Sequence, residues 1–123
     1  MRELTSHKVN GLNEALQIQV LDDPGQGNAC HRYVIEAKDG FGVTLAGCGI
    51  NFQNGPILEA GINGISNEAL LSVVEDRLLG FQSGQYACRD NDIALQHVQS
   101  AMAWLLKRTR ERMARGVEGT HQK

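Results

Sequence analysis

Aromatic residues make up only 5% of this 123-residue chain, so any core it builds is aliphatic. Hydrophobic residues reach 41%, enough for one ordinary domain. Cysteine is sparse: Cys30, Cys48 and Cys88 are odd in number, far apart and without CxxC spacing. That argues against a disulfide framework and a zinc site, and favours a reducing compartment. No apolar run approaches the roughly 18–20 residues a bilayer span needs. Met1–Lys8 has no apolar region of the signal-peptide kind. The expectation is a soluble, cytoplasmic protein with no membrane partner.

Catalytic signatures are missing as well. No GxSxG, HExxH or His-x-Glu…Cys-x-x-Cys pattern occurs, and His7, His31, His97 and His121 are scattered. Glu75 and Asp76 are consecutive on a predicted helix and so point in different directions. Asp22 and Asp23 lie in a predicted turn, where they would hold a divalent ion only weakly. A phosphodiesterase would need metal ligands or an acid–base pair that these residues do not supply. The reading is a binding protein, not an enzyme, with no metal and no cofactor.

What is present is charge asymmetry. The net charge is −2, yet residues 1–80 hold five cations against ten anions, a balance of −5. Residues 81–123 hold seven against four, a balance of +3. Five cations (Lys107, Arg108, Arg110, Arg112 and Arg115) sit beside a single anion, Glu111, between Lys107 and Arg115. Cations complement the dipole at a helix C-terminus, but five exceed that need, and the surplus suggests an anionic partner. Guanidinium offers phosphate paired donors in a planar fork. Gly116 and Gly119 let backbone N–H groups approach a ligand, and Thr120 and His121 add donors. A nucleic-acid-binding accessory protein using this basic end is the alternative, but wholesale duplex binding wants a more basic chain. Phe81, expected in a loop beside Gly84, either packs over the helices or stacks on a nucleobase. Asn91 either caps a helix or reads a base edge or ribose.

The chain reads as α+β. Leu16, Ile18 and Val20 alternate with polar positions, and Asp22–Asn28 is a loop signal. Arg32–Ala37 and Phe41–Leu45 flank Asp39-Gly40, the mark of a tight hairpin. Ile50–Gln53 and Ile57–Glu59 are further strand candidates, whereas residues 1–16 show little pattern and are read as a mobile arm or a first short element. Residues 1–60 are thus expected to form a small antiparallel β-domain of three to five strands. Residues 61–123 are expected to form a two-helix antiparallel hairpin with a basic, glycine-containing tail. Its first helix runs from a Ser66 or Asn67 cap to Leu79, with Gly80 at its end. Its second runs from an Asp90 or Asn91 cap to Arg115, with Ala94, Val98, Ala101, Met102 and Leu105 as its apolar stripe. So short a chain leaves apolar surface uncovered, and oligomerisation through the helices is expected.

Several segments of the second half carry a family resemblance. They are Gly61-Ile62-Asn63-Gly64-Ile65-Ser66-Asn67-Glu68-Ala69-Leu70-Leu71, Gly80-Phe81-Gln82-Ser83-Gly84, Ala87-Cys88-Arg89-Asp90-Asn91, Trp104-Leu105 and Arg108 through His121. Together they resemble the helical hairpin of phage cyclic-nucleotide sponge proteins, which counter the Thoeris and CBASS bacterial defences. The anti-Thoeris branch, with a β-domain before the hairpin, is the nearer. The resemblance implies a cytoplasmic immune-evasion protein that sequesters a cyclic ADP-ribose isomer made by a Thoeris TIR-domain enzyme, without cleaving it. It implies a homo-oligomer, dimer or hexamer, with cyclic di- or trinucleotides bound at separate subunit junctions and no long nucleic acid. By the same resemblance Phe81 stacks on adenine, Asn91 hydrogen-bonds the ligand and Arg108 meets the phosphates. Arg112 or Arg115, with Gly116, Thr120 and His121, contribute at the junctions. Gly84-Gln85-Tyr86 stands where the family has Gly-Pro-Phe. From the β-domain, Arg32 or residues near Asn54-Gly55-Pro56 are the candidates.

Overall fold

A computed structural model describes residues 1–123, apart from the side chain of Gln26. The chain divides into two units, Met1–Ile65 and Ser66–Lys123. It is α+β, a four-stranded antiparallel sheet followed by C-terminal helices.

In the first unit β1 (Arg2–Leu4), β2 (Leu16–Val20), β3 (Arg32–Lys38) and β4 (Thr44–Asn51) pair as a meander in chain order. Between β1 and β2 lies α1 (Gly11–Ala15), whose cap is Asn10, its side chain accepting the Asn13 N–H at 2.9 Å. The alternation expected at Leu16, Ile18 and Val20 sets the register: Ile18 lies between Leu4 and Ile35, and Val20 beside Tyr33. One sheet face is therefore apolar, and Val20 on it is fully buried. The chain reverses after Asp39, but not through the tight Asp39-Gly40 turn expected: the positive φ falls at Gly42 (79°), and Asp39 Oδ1 holds the wider loop by accepting the N–H groups of Phe41 at 2.8 Å and Val43 at 2.9 Å.

Three further expectations for this unit need correction. Residues 1–16 are not a mobile arm and hold two short elements rather than one, β1 and α1. Phe41–Leu45 and Ile50–Gln53 are not two strands; β4 runs unbroken through Gly47 and Gly49, which only resemble a break in sequence. Ile57–Glu59 is not a strand but part of the helical turn α2 (Ile57–Ala60), which Pro56 initiates with its fixed φ.

Beyond β4 the chain is tied by amides. Phe52 and Ile65 form a parallel bridge, and a Cβ on Gly64 would stand 2.4 Å from the Phe52 carbonyl carbon, so only glycine fits. The Asn63 side chain accepts from Asn54 N at 2.8 Å and donates to Asn54 O at 2.7 Å. Gln53 accepts from Asn63 N at 2.9 Å and donates to Gly61 O at 2.7 Å.

The second unit is the hairpin of α3 (Asn67–Gln82) and α4 (Arg89–Ala114). Ser66 caps α3 through Oγ, accepting the Ala69 N–H at 3.1 Å. The helix does not stop at Gly80; it continues through Phe81 to Gln82, with Ser83 as its cap. The cap of α4 is Cys88, not Asp90 or Asn91, its sulfur accepting the Asn91 N–H at 3.4 Å. Asp90 and Asp92 in the first turn complement the dipole.

The covered positions of α4 are Asn91, Ile93, Leu95, Val98, Met102, Leu105, Leu106, Thr109 and Arg112; those of α3 are Glu68, Leu70, Leu71, Glu75, Leu78 and Gln82. Both follow the alternating three- and four-residue spacing of a coiled-coil seam, Leu70, Ile93 and Leu106 aside. Val98, Met102 and Leu105 of the expected stripe are covered, whereas Ala94 and Ala101 are exposed and Leu95 takes the buried place.

Candidate functional site

Phe81 lies in the last turn of α3, 41% exposed, with the Arg77 guanidinium 5.6 Å from its ring centroid. That spacing, four residues along one helix face, is a cation–π contact. Asn91 stands half-buried in the first turn of α4, across the bend. The Gln82 amide locks that bend, donating to Cys88 O and accepting from Cys88 N, both at 3.1 Å. Phe81 and Asn91 are thus held together at one end of the hairpin.

The cations gather at the other end. Lys107 pairs with Glu111 one turn on and lies 5.7 Å from the Trp104 ring centroid. Lys107 holds the Glu111 carboxyl below its ordinary range, through a hydrogen bond and its charge, with Arg115 adding to the effect. Arg108, Arg110 and Arg115 are exposed.

Arg112 is different. Its side chain is buried, although the sequence suggested a phosphate contact. Nε donates to Glu118 Oε2 at 3.0 Å, and Nη2 donates to Val117 O at 3.0 Å and Thr120 O at 3.1 Å. Nη1 donates to Gln122 O. Every nitrogen of the fork is engaged by the chain's own tail.

The turn that permits this is a Schellman motif. Gly116 takes φ of 72°, its N–H donates to Met113 O at 3.0 Å, and the Val117 N–H donates to Arg112 O at 3.0 Å. Thr120 closes the loop, donating its hydroxyl to Val117 O and accepting from Gln122 N at 3.2 Å. His121 is exposed. Gly116, Thr120 and His121 therefore belong to one short loop built around Arg112.

The two ends do not meet in a single chain. Asn91 and Arg108 are seventeen positions apart on one helix, about 26 Å at ~1.5 Å per residue. A ligand of nucleotide size cannot touch both within one copy.

In the first unit, a cavity of about 280 Å³ is lined by His31, Arg32, Asn51, Phe52, Asn54 and Asn63. It brings Arg32 and Asn54 together. Asp22 anchors its edge, accepting the backbone N–H groups of His31 at 2.9 Å and Arg32 at 3.1 Å. Desolvation works to raise the Asp22 pKa, but those N–H groups and the nearby His31 ring outweigh it, and the net shift is downward. The three cysteines are free. Among the described residues, no three His, Cys, Asp or Glu side chains are grouped to hold a metal ion. No helix is long and apolar enough to cross a membrane.

Two residues at the aromatic end went unnoticed in the sequence. Arg77 had a legible signal in its four-residue spacing from Phe81. Gln82 had none, because its role depends on where the chain turns.

A sheet-bearing chain that ends in an antiparallel hairpin, aromatic and amide at the bend and guanidinium at the far end, defines the class. Residues 46–110 match the family model described as "Acb2/Tad1, hairpin domain". That span is more than half of the chain, and the chain belongs to this family. It contains Phe81, Asn91 and Arg108 and ends before Arg112. The chain is also similar to "Thoeris anti-defense 1" of Bacillus phage SBSphiJ7, at 50% identity over 74 residues. That alignment takes in 60% of this chain and 52% of the relative, so the chain spans about half the length of the curated relative it matches.

Proposed function

We propose that this chain is a phage anti-defence protein that binds a cyclic nucleotide signal of the host and holds it uncleaved. Membership of the Acb2/Tad1 hairpin family and the similarity to an anti-Thoeris protein support that reading. The ligand is a cyclic ADP-ribose isomer, with cyclic di- or trinucleotides of CBASS as further guests, in the cytoplasm of the infected cell. The observation that carries the chemistry is an exposed ring and an amide at one bend, with exposed guanidinium groups at the far end.

In this reading adenine stacks on Phe81, Asn91 hydrogen-bonds the guest, and Arg108 and Arg115 meet the phosphates. Arg112 holds the loop that presents Gly116, Thr120 and His121. The ~26 Å between the two ends requires the site to be shared between copies, in a dimer or hexamer. Apolar residues left bare on a single hairpin support association: Trp104 is 70% exposed, and Val73 and Leu79 are also open.

The energetics are consistent with sequestration. Nanomolar affinity corresponds to about 12 kcal/mol. A stacked base supplies ~1–3 kcal/mol, and several charge-assisted hydrogen bonds at ~1.5–3 kcal/mol each supply the balance once water is excluded. The nucleic-acid reading loses ground because Lys107 and Arg112 are already paired within the chain. The test is to incubate cyclic ADP-ribose isomers with the protein, denature it by heat and analyse the released nucleotide. Intact ligand is expected; a cleaved product would contradict the reading.

A further inference from the structure

The sheet has two edges that differ in kind. β1 is three residues long and carries Arg2 and Glu3, with Lys8 paired to Glu3 at 3.5 Å. Short length and charge are the usual protection of an edge. β4 is eight residues long, has no charged residue and no proline, and is exposed along nearly its whole length.

Its hydrogen-bonding parity follows from the register. The Phe52 N–H donates inward to His31 O at 2.7 Å, so Ile50, Cys48 and Ala46 also face β3 in the alternating ladder. Gly47 and Gly49 then turn their N–H and C=O groups outward. At one end the outward side is taken by Ile65, which donates to Asn51 O and accepts from Gln53 N, both at 2.9 Å. At the other end the register shifts at Lys38, and Thr44 and Leu45 form a bulge. The open stretch is Ala46–Ile50.

We propose that this stretch pairs antiparallel with the same stretch of a second copy, about a two-fold axis at Cys48. That register alone places both outward glycines opposite each other, Gly47 against the partner's Gly49 and the reverse, so that each outward N–H and C=O finds a partner. A second copy fits because the strand is self-complementary: no charges meet across the axis, and small Ala46 lies opposite the partner's Ile50. On that apolar face a cavity of about 260 Å³, lined by Leu16, Ile35, Ala37, Ala46, Gly47 and Cys48, opens beside the place where the partner's Ile50 arrives. The partner's Ile65, beside its Phe52, would lie opposite Thr44, where the bulge already ends the regular pairing. A strand pair this short is smaller than the ~1,600 Å² of a standard interface, so it adds to assembly through other surfaces. The inference needs no ligand and stands apart from the sequestration reading.

Cys48 provides the test. In a non-hydrogen-bonded antiparallel pair Cα atoms approach to about 4.5 Å, within disulfide reach. Full-length protein treated with a mild oxidant is expected to form a covalent dimer that persists in Cys88→Ser and vanishes in Cys48→Ser. Gly49→Lys sets an ammonium at the edge, where a Cβ meets nothing within 4 Å of its own chain. It is expected to suppress the Cys48 cross-link while the circular dichroism stays that of the wild type. A covalent dimer independent of Cys48, or one that forms as readily in Gly49→Lys as in the wild type, overturns the proposal.

Discussion

Glu118 accepts a 3.0 Å bond from Nε of Arg112, and through that pair the tail folds back onto the last turns of α4. A guanidinium of the cationic cluster thereby organises its own chain. Arg112→Ala is expected to remove amide-exchange protection from residues 117–122 and to cost about 2–3 kcal/mol through lost charge-assisted bonds. The helical circular dichroism should persist. Exposed Arg110→Ala should stay within about 0.5 kcal/mol of wild type. Equal effects of the two substitutions would refute the organising role.

From the two ends of the hairpin, Phe81→Ala and Arg108→Ala are each expected to weaken nucleotide capture by about 2 kcal/mol or more, roughly thirty-fold. Calorimetric titration of folded variants measures this. Wild-type affinity in both would move the site elsewhere.

Gly80→Ala probes the course of α3. The glycine lies inside the helix with nothing within 4 Å of an added Cβ, so alanine should raise stability by about 0.5–1 kcal/mol. Gly64→Ala should do the opposite, because its Cβ would meet the Asn51 and Phe52 backbone. Thermal denaturation distinguishes the two; destabilisation by Gly80→Ala would mean that the helix ends earlier.

Acid should unfold the protein partly through Asp22 and Glu111. Both carboxyls titrate below their ordinary values of 3.8 and 4.5. A depressed folded pKa gives stability that is complete above the unfolded value and lost as the pH falls through the folded one. Asp22→Asn should therefore flatten the decline in stability below about pH 4. An unaltered acid limb in that variant would show that the His31 and Arg32 contacts carry no linkage.

The sequence disclosed elements wherever one local rule dominated. Ser66 before an apolar run marked the start of α3, Asp39-Gly40 marked a turn, and Gly116 marked the end of α4. It misled where tertiary pairing overrode local chemistry. Gly47 and Gly49 weaken strand propensity, yet β3 holds them in register. Gly80 looked like a stop, but α3 continues for two more residues to Gln82, whose side chain ties the bend to Cys88. Leu95 and Ala94 fit a helical period almost equally, and only packing against α3 separates them. The cationic cluster was plain to read, but its division into a buried Arg112 and exposed Arg108 and Arg115 depends on how the tail folds.

The central claim is that Phe81 of one copy and Arg108 of another serve the same guest. It is tested most directly by co-refolding Phe81→Ala with Arg108→Ala and titrating cyclic ADP-ribose isomer. In a two-fold dimer with shared sites, random pairing restores an intact site in each mixed dimer, so about one quarter of wild-type capacity should return. A mixture as inactive as its two components would contradict the shared site.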